Sequence, residues 1–279
     1  MTTALAPSVE NAFSSREAKV GGVALILIVA LAVILPWLLP DPAAQCLPCG
    51  AQAPSWPHPF GTDLLGRDVL ARVAGGARIS LSVALISVLL SVVLGGLFGT
   101  VAGYAGGWVD SVIMRGVDGA LAIPRLFVLL IVLAMTSPIP LWLFILVLGT
   151  TGWFGVSRIV RGEALRVRRE LYVQAAEALG ARGHRIILRH LLPNTAGPLL
   201  VAATLGVGDV ILLEAGLSFL GLGIQPPTPS WGGMIQDSRE YFITKPWTSI
   251  FPGLAIVVTV LAVSLIGDAL RDRLDPRNA

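Results

Sequence analysis

The sequence predicts an all-α polytopic membrane protein with six transmembrane helices, on three observations. Of the 279 residues, 54% are hydrophobic and only 13% are charged, whereas soluble domains carry roughly 25% charged residues. The mean hydropathy is +0.79. Several uncharged stretches are as long as the roughly 20 residues that a helix needs to cross a bilayer. These features exclude a soluble globular protein, and the presence of only two cysteines excludes a disulfide-rich scaffold.

The order of segments follows from the positions of the charged and apolar stretches. The uncharged run 20–40 is longer than the roughly 7–15 apolar residues of a signal peptide, so we interpret it as an uncleaved first transmembrane helix. The full division is a cytoplasmic tail 1–19, the first helix 20–40, an extracytoplasmic segment 41–78, a core 79–270 of five further helices with a cytoplasmic loop 158–194, and a cytoplasmic tail 271–279.

The second span is expected at about Leu81 to Gly103, because the uncharged stretch there ends in the glycine-rich sequence GYAGGW. Gly95, Gly99 and Gly103 recur every four residues within it. This spacing places three missing side chains on one helical face, which lets another helix approach closely. The sequence therefore predicts a helix-packing face at these glycines.

The third and fourth spans share an uncharged stretch from 126 to 157 that the sequence SPIP at 137–140 divides in two. Because two spans need roughly 40 residues, the earlier helix must begin before Leu126. Asp118 and Arg125 are seven residues apart, so we expect them on one face of this helix, directed at protein or at lipid headgroups. The sixth span is expected at about 250–266.

The fifth span, about 195–221, contains the carboxylates of Asp209 and Glu214. An ionised carboxylate in hydrocarbon is costly, so such residues usually face a polar cavity or a partner. One hypothesis is that Glu214, together with Asp209, lines the translocation route or pairs with a second subunit. The alternative is that Glu214 lies near the outer interface, where water already hydrates it, and has a structural role only.

The basic residues predict the orientation of the chain in the membrane. With the N-terminus inside, 15 of the 20 lysines and arginines fall in cytoplasmic segments. Cytoplasmic loops of membrane proteins are enriched in these residues, so both termini and the loop 158–194 are expected in the cytoplasm. The arginines between apolar runs thus serve orientation, and the pI of 9.2 does not indicate nucleic-acid binding.

The loop 158–194 is too polar to span a membrane, and its pattern is helical. It predicts one amphipathic helix. The apolar face of this helix contains Tyr172, Ala175, Ala176 and Leu179. Its charged face contains Arg166, Glu170 and Glu177. Gly180 is expected to end this helix, and a second short helix follows until Pro193 stops it. The predicted shape is a helix, a sharp reversal and a second helix.

The string YVQAAEALGARGHRIILRHLLPN, residues 172–194 and here termed the EAA segment, resembles the EAA loop of ABC-importer permeases. In those loops two alanines follow a residue that is usually acidic, a glycine comes four residues later, and Leu-Pro closes the motif. Gln174 stands at the acidic position and departs from the family pattern. The resemblance implies that the short helix beside Gly180 docks on a cytoplasmic ATPase, with coupling residues Gln174, Ala175, Ala176, Glu177, Gly180, Ala181, Leu192 and Pro193.

Three further strings resemble signatures of the peptide and nickel permeases within that family. They are HPFGTDLLGRDVLARVAGGARISL at 58–81, GLSFLGLGIQPPTPSWGGM at 216–234 and GDALRDRLDPR at 267–277. In the first string, turn-forming residues and paired opposite charges suit a rigid extracytoplasmic cap. The resemblance extends over about 57–277 and implies the type I ABC importer permease fold.

The resemblance also implies a complex and a function. The expected partners are a homologous second permease, two ATP-binding subunits, an extracytoplasmic solute-binding protein and the lipid bilayer of a bacterial or archaeal inner membrane. Di- and oligopeptides are the expected cargo, and nickel or a nickel chelate is the alternative. A secondary transporter is the alternative from another class, but it would place ion-binding groups at broken helices near the midplane and would not need a coupling loop.

The chain itself is expected to be non-catalytic and to bind no cofactor. A phosphate-binding loop requires Gly-Lys-[Ser/Thr], whereas Lys19 follows Ala18 and Lys245 follows Thr244. ATP and Mg²⁺ are therefore assigned to the partner subunits. Cys46 and Cys49 in the first outer loop are interpreted as a local disulfide, because a metal site would need more ligands than this loop offers. No metal site is expected.

Overall fold

The computed structural model describes residues 16–136 and 138–274, so the outermost parts of both predicted tails lie outside the described residues. The described chain is helical, and its only β-pairing is an isolated bridge between Thr62 and Asp68. The helices are α1 (Arg16–Leu38), α2 (Val69–Ala105), α3 (Gly107–Leu121), α4 (Arg125–Ala134), α5 (Leu141–Arg168), α6 (Leu171–Ala178), α7 (Gly183–Ile186), α8 (Leu192–Asn194), α9 (Ala196–Phe219), α10 (Trp231–Asp237) and α11 (Trp247–Leu274). A π-helical turn, Ile187–Leu191, connects α7 to α8, and a 3₁₀ turn, Arg239–Tyr241, follows α10.

Five of these helices, α1, α2, α5, α9 and α11, are long and apolar enough to cross a membrane, and the pair α3 and α4 makes a sixth if counted as one span. The all-α membrane class is therefore confirmed. Residues 39–68 and 220–246 lie together at one end of the bundle, here termed the loop end. The EAA segment lies at the opposite end, termed the coupling end. Leu274 at the end of α11 lies beside Gly197 near the EAA segment, so α11 ends at the coupling end.

The third span is not the single helix that the sequence predicted. The two helices α3 and α4 are bent by 77° at a break of a few residues, and Pro124 in an extended conformation precedes α4. Proline disfavours the helical conformation in the residue before it and lacks the N–H that an α-helix needs. The expectation that Asp118 and Arg125 share a helical face is therefore wrong. Asp118 pairs with Arg158, and Arg125 begins the next helix.

The second and sixth spans are longer than their uncharged cores. Helix α2 begins at Val69, inside the segment 41–78 that was expected to be a loop, and Asp68 caps it by accepting a hydrogen bond from the Ala71 N–H at 2.8 Å. Helix α11 likewise continues to Leu274. Charged residues mark the ends of hydrophobic runs but do not stop a helix when their side chains find partners. In α2 these partners exist, as described below for Arg72 and Arg78.

The glycine face of α2 packs directly on α5, which runs parallel to it. A Cβ added to Gly95 would lie 2.6 Å from Val156 Cβ, one on Gly99 2.5 Å from the Ser157 carbonyl oxygen, and one on Gly103 2.7 Å from Ala164 Cβ. No real Cβ could occupy such positions without moving the neighbouring helix. The predicted packing face therefore lies inside this chain, where it brings two long helices into backbone contact.

Helix α1 is attached to the bundle through a backbone carbonyl that its own proline leaves without a hydrogen-bond donor. Pro36 lies inside α1 and cannot donate to the carbonyl of Ala32. The Arg78 guanidinium on α2 donates through Nε to that carbonyl at 2.7 Å and through Nη2 to the Val33 carbonyl at 2.8 Å. Arg78 thus satisfies a backbone group that the proline leaves free, and it joins α1 to α2 near the loop end.

We expect replacement of Arg78 by methionine to destabilise the packing of α1. The change keeps an unbranched side chain of similar length but removes both charged donors, and hydrogen bonds to charged groups are worth about 1.5–3 kcal/mol. Arg115→Met, on α3, is a control for loss of an arginine. The measurement is limited proteolysis of the purified protein in detergent, with faster cleavage between α1 and α2 expected for Arg78→Met. Equal cleavage rates in the two variants would contradict this role.

Candidate functional site: the coupling end and a membrane cavity

The EAA segment forms the reversal that the sequence predicted, with different helix boundaries. Helix α6 ends at Ala178, and Gly180 adopts φ +80°, a left-handed conformation that favours glycine. The predicted amphipathic helix is instead divided, because residues 158–168 complete the long helix α5 and the chain turns before Leu171. Pro193 does not stop the second helix. It lies in the first turn of α8, where a missing N–H costs nothing, and the chain continues into α9.

The apolar face predicted for α6 is turned outward. Leu179 and Tyr172 of that face are 89% and 43% exposed, and Val173 is the buried residue of this helix. Leu171, the first residue of α6, is 82% exposed. The π-helical turn adds Leu188, which is 63% exposed. Exposed leucines on a short helical reversal are typical of an interaction surface. The surface formed by Leu171, Leu179 and Leu188 is here termed the leucine surface.

Beneath the EAA segment, a small core fixes its position on the membrane helices. Its buried members are Ala164, Val167, Val173, Ile186 and Leu191, against which Tyr104 and Ala181 pack. The core therefore combines residues of α5, α6, α7 and the π-helical turn with the last residues of α2. The segment cannot move as a unit without carrying this part of the bundle with it.

Arg168 at the end of α5 joins three parts of the coupling end. Its Nη1 donates to the Tyr104 carbonyl at 2.6 Å, and its guanidinium lies over the Tyr104 ring at 5.1 Å. Its Nε lies 3.6 Å from Oε1 of Glu177 on α6. The same tyrosine ring lies against Gly183, where an added Cβ would be 2.9 Å from Tyr104 Cε1. The structure thus connects α2, α5, α6 and α7 through Arg168 and Tyr104.

The predicted coupling residues occupy different environments. Gln174 donates to the Arg169 carbonyl at 3.0 Å, which stabilises the turn before α6. Glu177 faces Arg168, so it belongs to the internal contacts of this chain. Ala181 packs on the core, whereas Ala175, Gly180 and Pro193 are exposed. Leu192 is also exposed, and Ala176 is half-buried. Sequence reasoning missed Arg168 and Tyr104, whose partners are distant along the chain.

At the loop end, four charged residues form a cluster in which Asp63, Arg67 and Arg72 are buried and Asp237 is half-buried. The Asp63 carboxylate accepts from Arg67 Nε at 2.6 Å and lies 3.7 Å from Arg72 Nε. Asp237 on α10 accepts from Arg72 Nη2 at 3.1 Å. Both arginine side chains are less than 10% exposed, so partners rather than water balance their charge. The cluster ties the segment 39–68 to α2 and α10 and matches the rigid cap expected from TDLLGRD.

Neighbouring groups complete the cap. Burial, reinforced by the negative charges of Asp63 and Asp237, raises the pKa of Tyr241 to about 12, so this phenol stays neutral beside the cluster. Trp247 Nε1 donates to the Thr62 carbonyl at 3.1 Å. Cys46 and Cys49 form a disulfide in the first loop. No group of three or more potential metal ligands occurs in residues 16–136 and 138–274.

We expect Asp63→Asn to destabilise the cap strongly. Breaking a buried ion pair by removing one partner costs about 3–5 kcal/mol, because it leaves uncompensated charge, here on Arg67 and Arg72. Asp41→Asn is the matched control, since Asp41 is exposed and lies at the same end of the molecule. Thermal unfolding in detergent is expected to give a clearly lower midpoint for Asp63→Asn than for Asp41→Asn. Equal midpoints would show that the cluster contributes nothing to stability.

Glu214 is buried between the helices of this chain. It is 1% exposed, and its carboxylate accepts from Ser218 Oγ at 2.8 Å and from Ser80 Oγ at 3.3 Å. Ser80 Oγ also accepts from the Trp231 N–H at 3.2 Å. Serines supply the hydrogen bonds that a buried carboxylate needs. Glu214 therefore joins α9 to α2 and α10 through hydrogen bonds within this chain, and its expected role in the translocation route or at a subunit interface stays a prediction.

Asp209, in contrast, borders a cavity of about 280 Å³ together with Arg125. The other lining residues come from α2, α5 and α9, among them Ser91, Gly152 and Leu205. Arg125 donates to the Leu148 carbonyl at 2.6 Å and to Thr151 Oγ1 at 3.1 Å, which fixes its guanidinium at the cavity. Its position in the apolar sequence AIPRLF is the signal by which sequence reasoning could have identified this residue.

Comparison with known proteins agrees with these features. The profile of the family described as "Binding-protein-dependent transport system inner membrane component" matches residues 95–279. The dipeptide transport system permease protein DppC of Alkalihalophilus pseudofirmus is 40% identical over 99% of this chain and 91% of its own length. DppC of Bacillus subtilis is 42% identical over 94% of this chain and 82% of its own, and the oligopeptide permease OppC of that organism is 37% identical over 95% and 87%. The chain therefore belongs to the inner membrane components of binding-protein-dependent transport systems, with the fold of the type I ABC importer permeases.

Proposed function

We propose that this chain is a permease subunit of an ATP-driven importer for di- and oligopeptides. The observation that carries the proposal is the EAA segment, an exposed helical reversal with a leucine surface, which a small core anchors on the ends of the membrane helices α2 and α5. Similarity to dipeptide and oligopeptide permeases over nearly the whole chain supports peptides as the cargo. Those relatives favour peptides over nickel, and the described residues offer no cluster of metal ligands.

The proposed orientation places the coupling end in the cytoplasm. Its support is the excess of basic residues in the tails and in the loop 158–194. In this orientation the leucine surface faces an ATP-binding subunit, and the ionic cluster at the loop end faces the solute-binding protein. Two ATP-binding subunits and a homologous second permease complete the proposed complex, and ATP and Mg²⁺ are bound by those partners.

The geometry suggests how motion passes through the chain. Closure of the ATP-binding subunits displaces the leucine surface, and the small core carries that displacement to the ends of α2 and α5. Helix α2 is unbroken over 37 residues, about 55 Å at 1.5 Å per residue. It therefore connects the coupling end to the ionic cluster at the loop end. Alternating access requires this kind of rigid connection between two sites on opposite sides of a membrane.

Purification of the tagged chain from its native cell in mild detergent, followed by mass spectrometry, tests the proposed assembly. We expect recovery of a second permease, ATP-binding subunits and a solute-binding protein that carries peptides. Recovery of the chain alone, under conditions that keep comparable complexes intact, would favour a secondary transporter. Recovery of the complex with a nickel-loaded binding protein would favour the nickel alternative.

The same purification tests the leucine surface. Leu179→Asp is expected to reduce recovery of the ATP-binding subunits at least tenfold while the second permease is retained, because the residue is exposed and contributes little to the fold. Leu47→Asp, which changes an exposed leucine at the loop end, is the control and is expected to retain the ATP-binding subunits. Equal recovery with both variants would exclude the leucine surface as the docking site.

A further inference from the structure

The cavity that contains Arg125 and Asp209 is placed where a solute would pass. Its lining residues lie near the middle of three long membrane helices, around Ser91 of α2, Gly152 of α5 and Leu205 of α9. It is therefore distant along these helices from both the ionic cluster and the EAA segment. A volume of about 280 Å³ accommodates a small solute, and the cavity has charged groups of both signs.

The two charges are held apart. Arg125 is fixed by its hydrogen bonds to Leu148 and Thr151, which leaves other N–H donors of the guanidinium for a ligand. Asp209 attracts Arg125 electrostatically but does not approach it within the 4.0 Å of an ion pair. Asp209 is exposed on the surface of this chain, and within 16–136 and 138–274 its carboxylate accepts no hydrogen bond and forms no ion pair. A carboxylate at this depth in a membrane requires a partner.

A short peptide has the complementary charges. Its free termini carry an ammonium and a carboxylate at neutral pH, and two extended residues span at most about 7 Å. A metal cation fits less well, because the cavity offers one carboxylate and the guanidinium would repel the cation.

We propose that Arg125 and Asp209 form a transient binding site for the free termini of a short peptide during its passage through the membrane. Arg125 binds the carboxylate and Asp209 binds the ammonium group. The inference rests on the proposed function, and it assigns cargo specificity to this chain in addition to the binding protein. It also gives a partner to a carboxylate of a membrane helix that has none within the described residues of this chain.

The test uses the complex of this chain with its second permease and ATP-binding subunits in detergent, without the binding protein. Saturation-transfer NMR measures binding of three probes: dialanine, N-acetyl-dialanine and dialanine amide. Each is titrated into the wild-type complex and into Asp209→Asn and Arg125→Gln variants. Asp118→Asn, which removes a carboxylate from an exposed ion pair, is the control.

We expect dialanine to bind the wild type and to bind either cavity variant at least tenfold more weakly. N-acetyl-dialanine lacks the ammonium, so Asp209→Asn should not weaken its binding further, whereas Arg125→Gln should. Dialanine amide lacks the carboxylate and should show the reverse pattern. Asp118→Asn should bind all three probes as the wild type does.

Three outcomes would overturn the proposal. An intact wild-type complex that does not bind dialanine, or variants that weaken all three probes equally, would show that the charges do not recognise peptide termini. Loss of the second permease from both variants in size-exclusion chromatography would assign the charges to the subunit interface. ATP-driven dialanine uptake by the same complex, measured separately, distinguishes failure of this site from failure of the proposed function.

Discussion

Replacement of Gly99 by leucine is expected to prevent normal packing of α2 on α5 and to abolish transport. The first added carbon would lie 2.5 Å from the Ser157 carbonyl oxygen and 2.8 Å from Val160 Cβ. Overpacking a tight contact usually costs about 1–3 kcal/mol, and here the obstructing atom belongs to the backbone and cannot rotate away. We expect a large drop in the thermal unfolding midpoint in detergent and no peptide uptake in cells.

Gly162→Leu is the control for this experiment. Gly162 lies on α5, and no atom lies within 4 Å of a Cβ added there. Gly103→Ala is an intermediate test, since its single methyl group meets Ala164 Cβ at 2.7 Å. Normal stability and uptake in Gly99→Leu would show that α2 and α5 do not need this contact.

Replacement of Arg168 by glutamine is expected to uncouple ATP hydrolysis from transport. The change removes the charged contacts to the Tyr104 carbonyl and to Glu177, and with them the direct connection between α6 and the end of α2. Hydrogen bonds to charged groups are worth about 1.5–3 kcal/mol, and the partial exposure of Arg168 places the effect at the lower end. Since about 1.4 kcal/mol corresponds to a factor of ten, we expect about tenfold less peptide imported per ATP hydrolysed.

Arg169→Gln is the matched control, because Arg169 is the adjacent arginine and its side chain is exposed. Both variants should assemble with the ATP-binding subunits and retain basal ATP hydrolysis. The measurement is the ratio of dipeptide uptake to phosphate release in proteoliposomes. An equal ratio of uptake to phosphate release in Arg168→Gln and Arg169→Gln would show that Arg168 does not transmit motion from α6 to α2.

The sequence was sufficient for those features that depend on local pattern. Hydropathy predicted the membrane spans because lipid requires long apolar helices whatever their neighbours are. The four-residue spacing of Gly95, Gly99 and Gly103 predicted a contact face, and Gly180 predicted the reversal of the EAA segment. These features are set by the residues themselves and their spacing along one helix.

Features that depend on distant partners could not be predicted in this way. Helix α2 begins before its apolar run because Arg72 pairs with Asp237 and Arg78 donates to carbonyls of α1. Glu214 is buried because Ser80, far away in the sequence, donates to it. The role of Arg168 depends on Tyr104 in another helix. In each case the local sequence pattern identifies one residue of the interaction, and only the fold shows which distant residue is its partner.

The most direct test of the central claim is uptake of radiolabelled dialanine by proteoliposomes that contain this chain, its second permease and the ATP-binding subunits. The binding protein and dialanine are outside, and ATP and Mg²⁺ are enclosed. We predict accumulation that requires both ATP and the binding protein and that Leu179→Asp abolishes. Accumulation without ATP, driven by an ion gradient across the same membrane, would contradict the account.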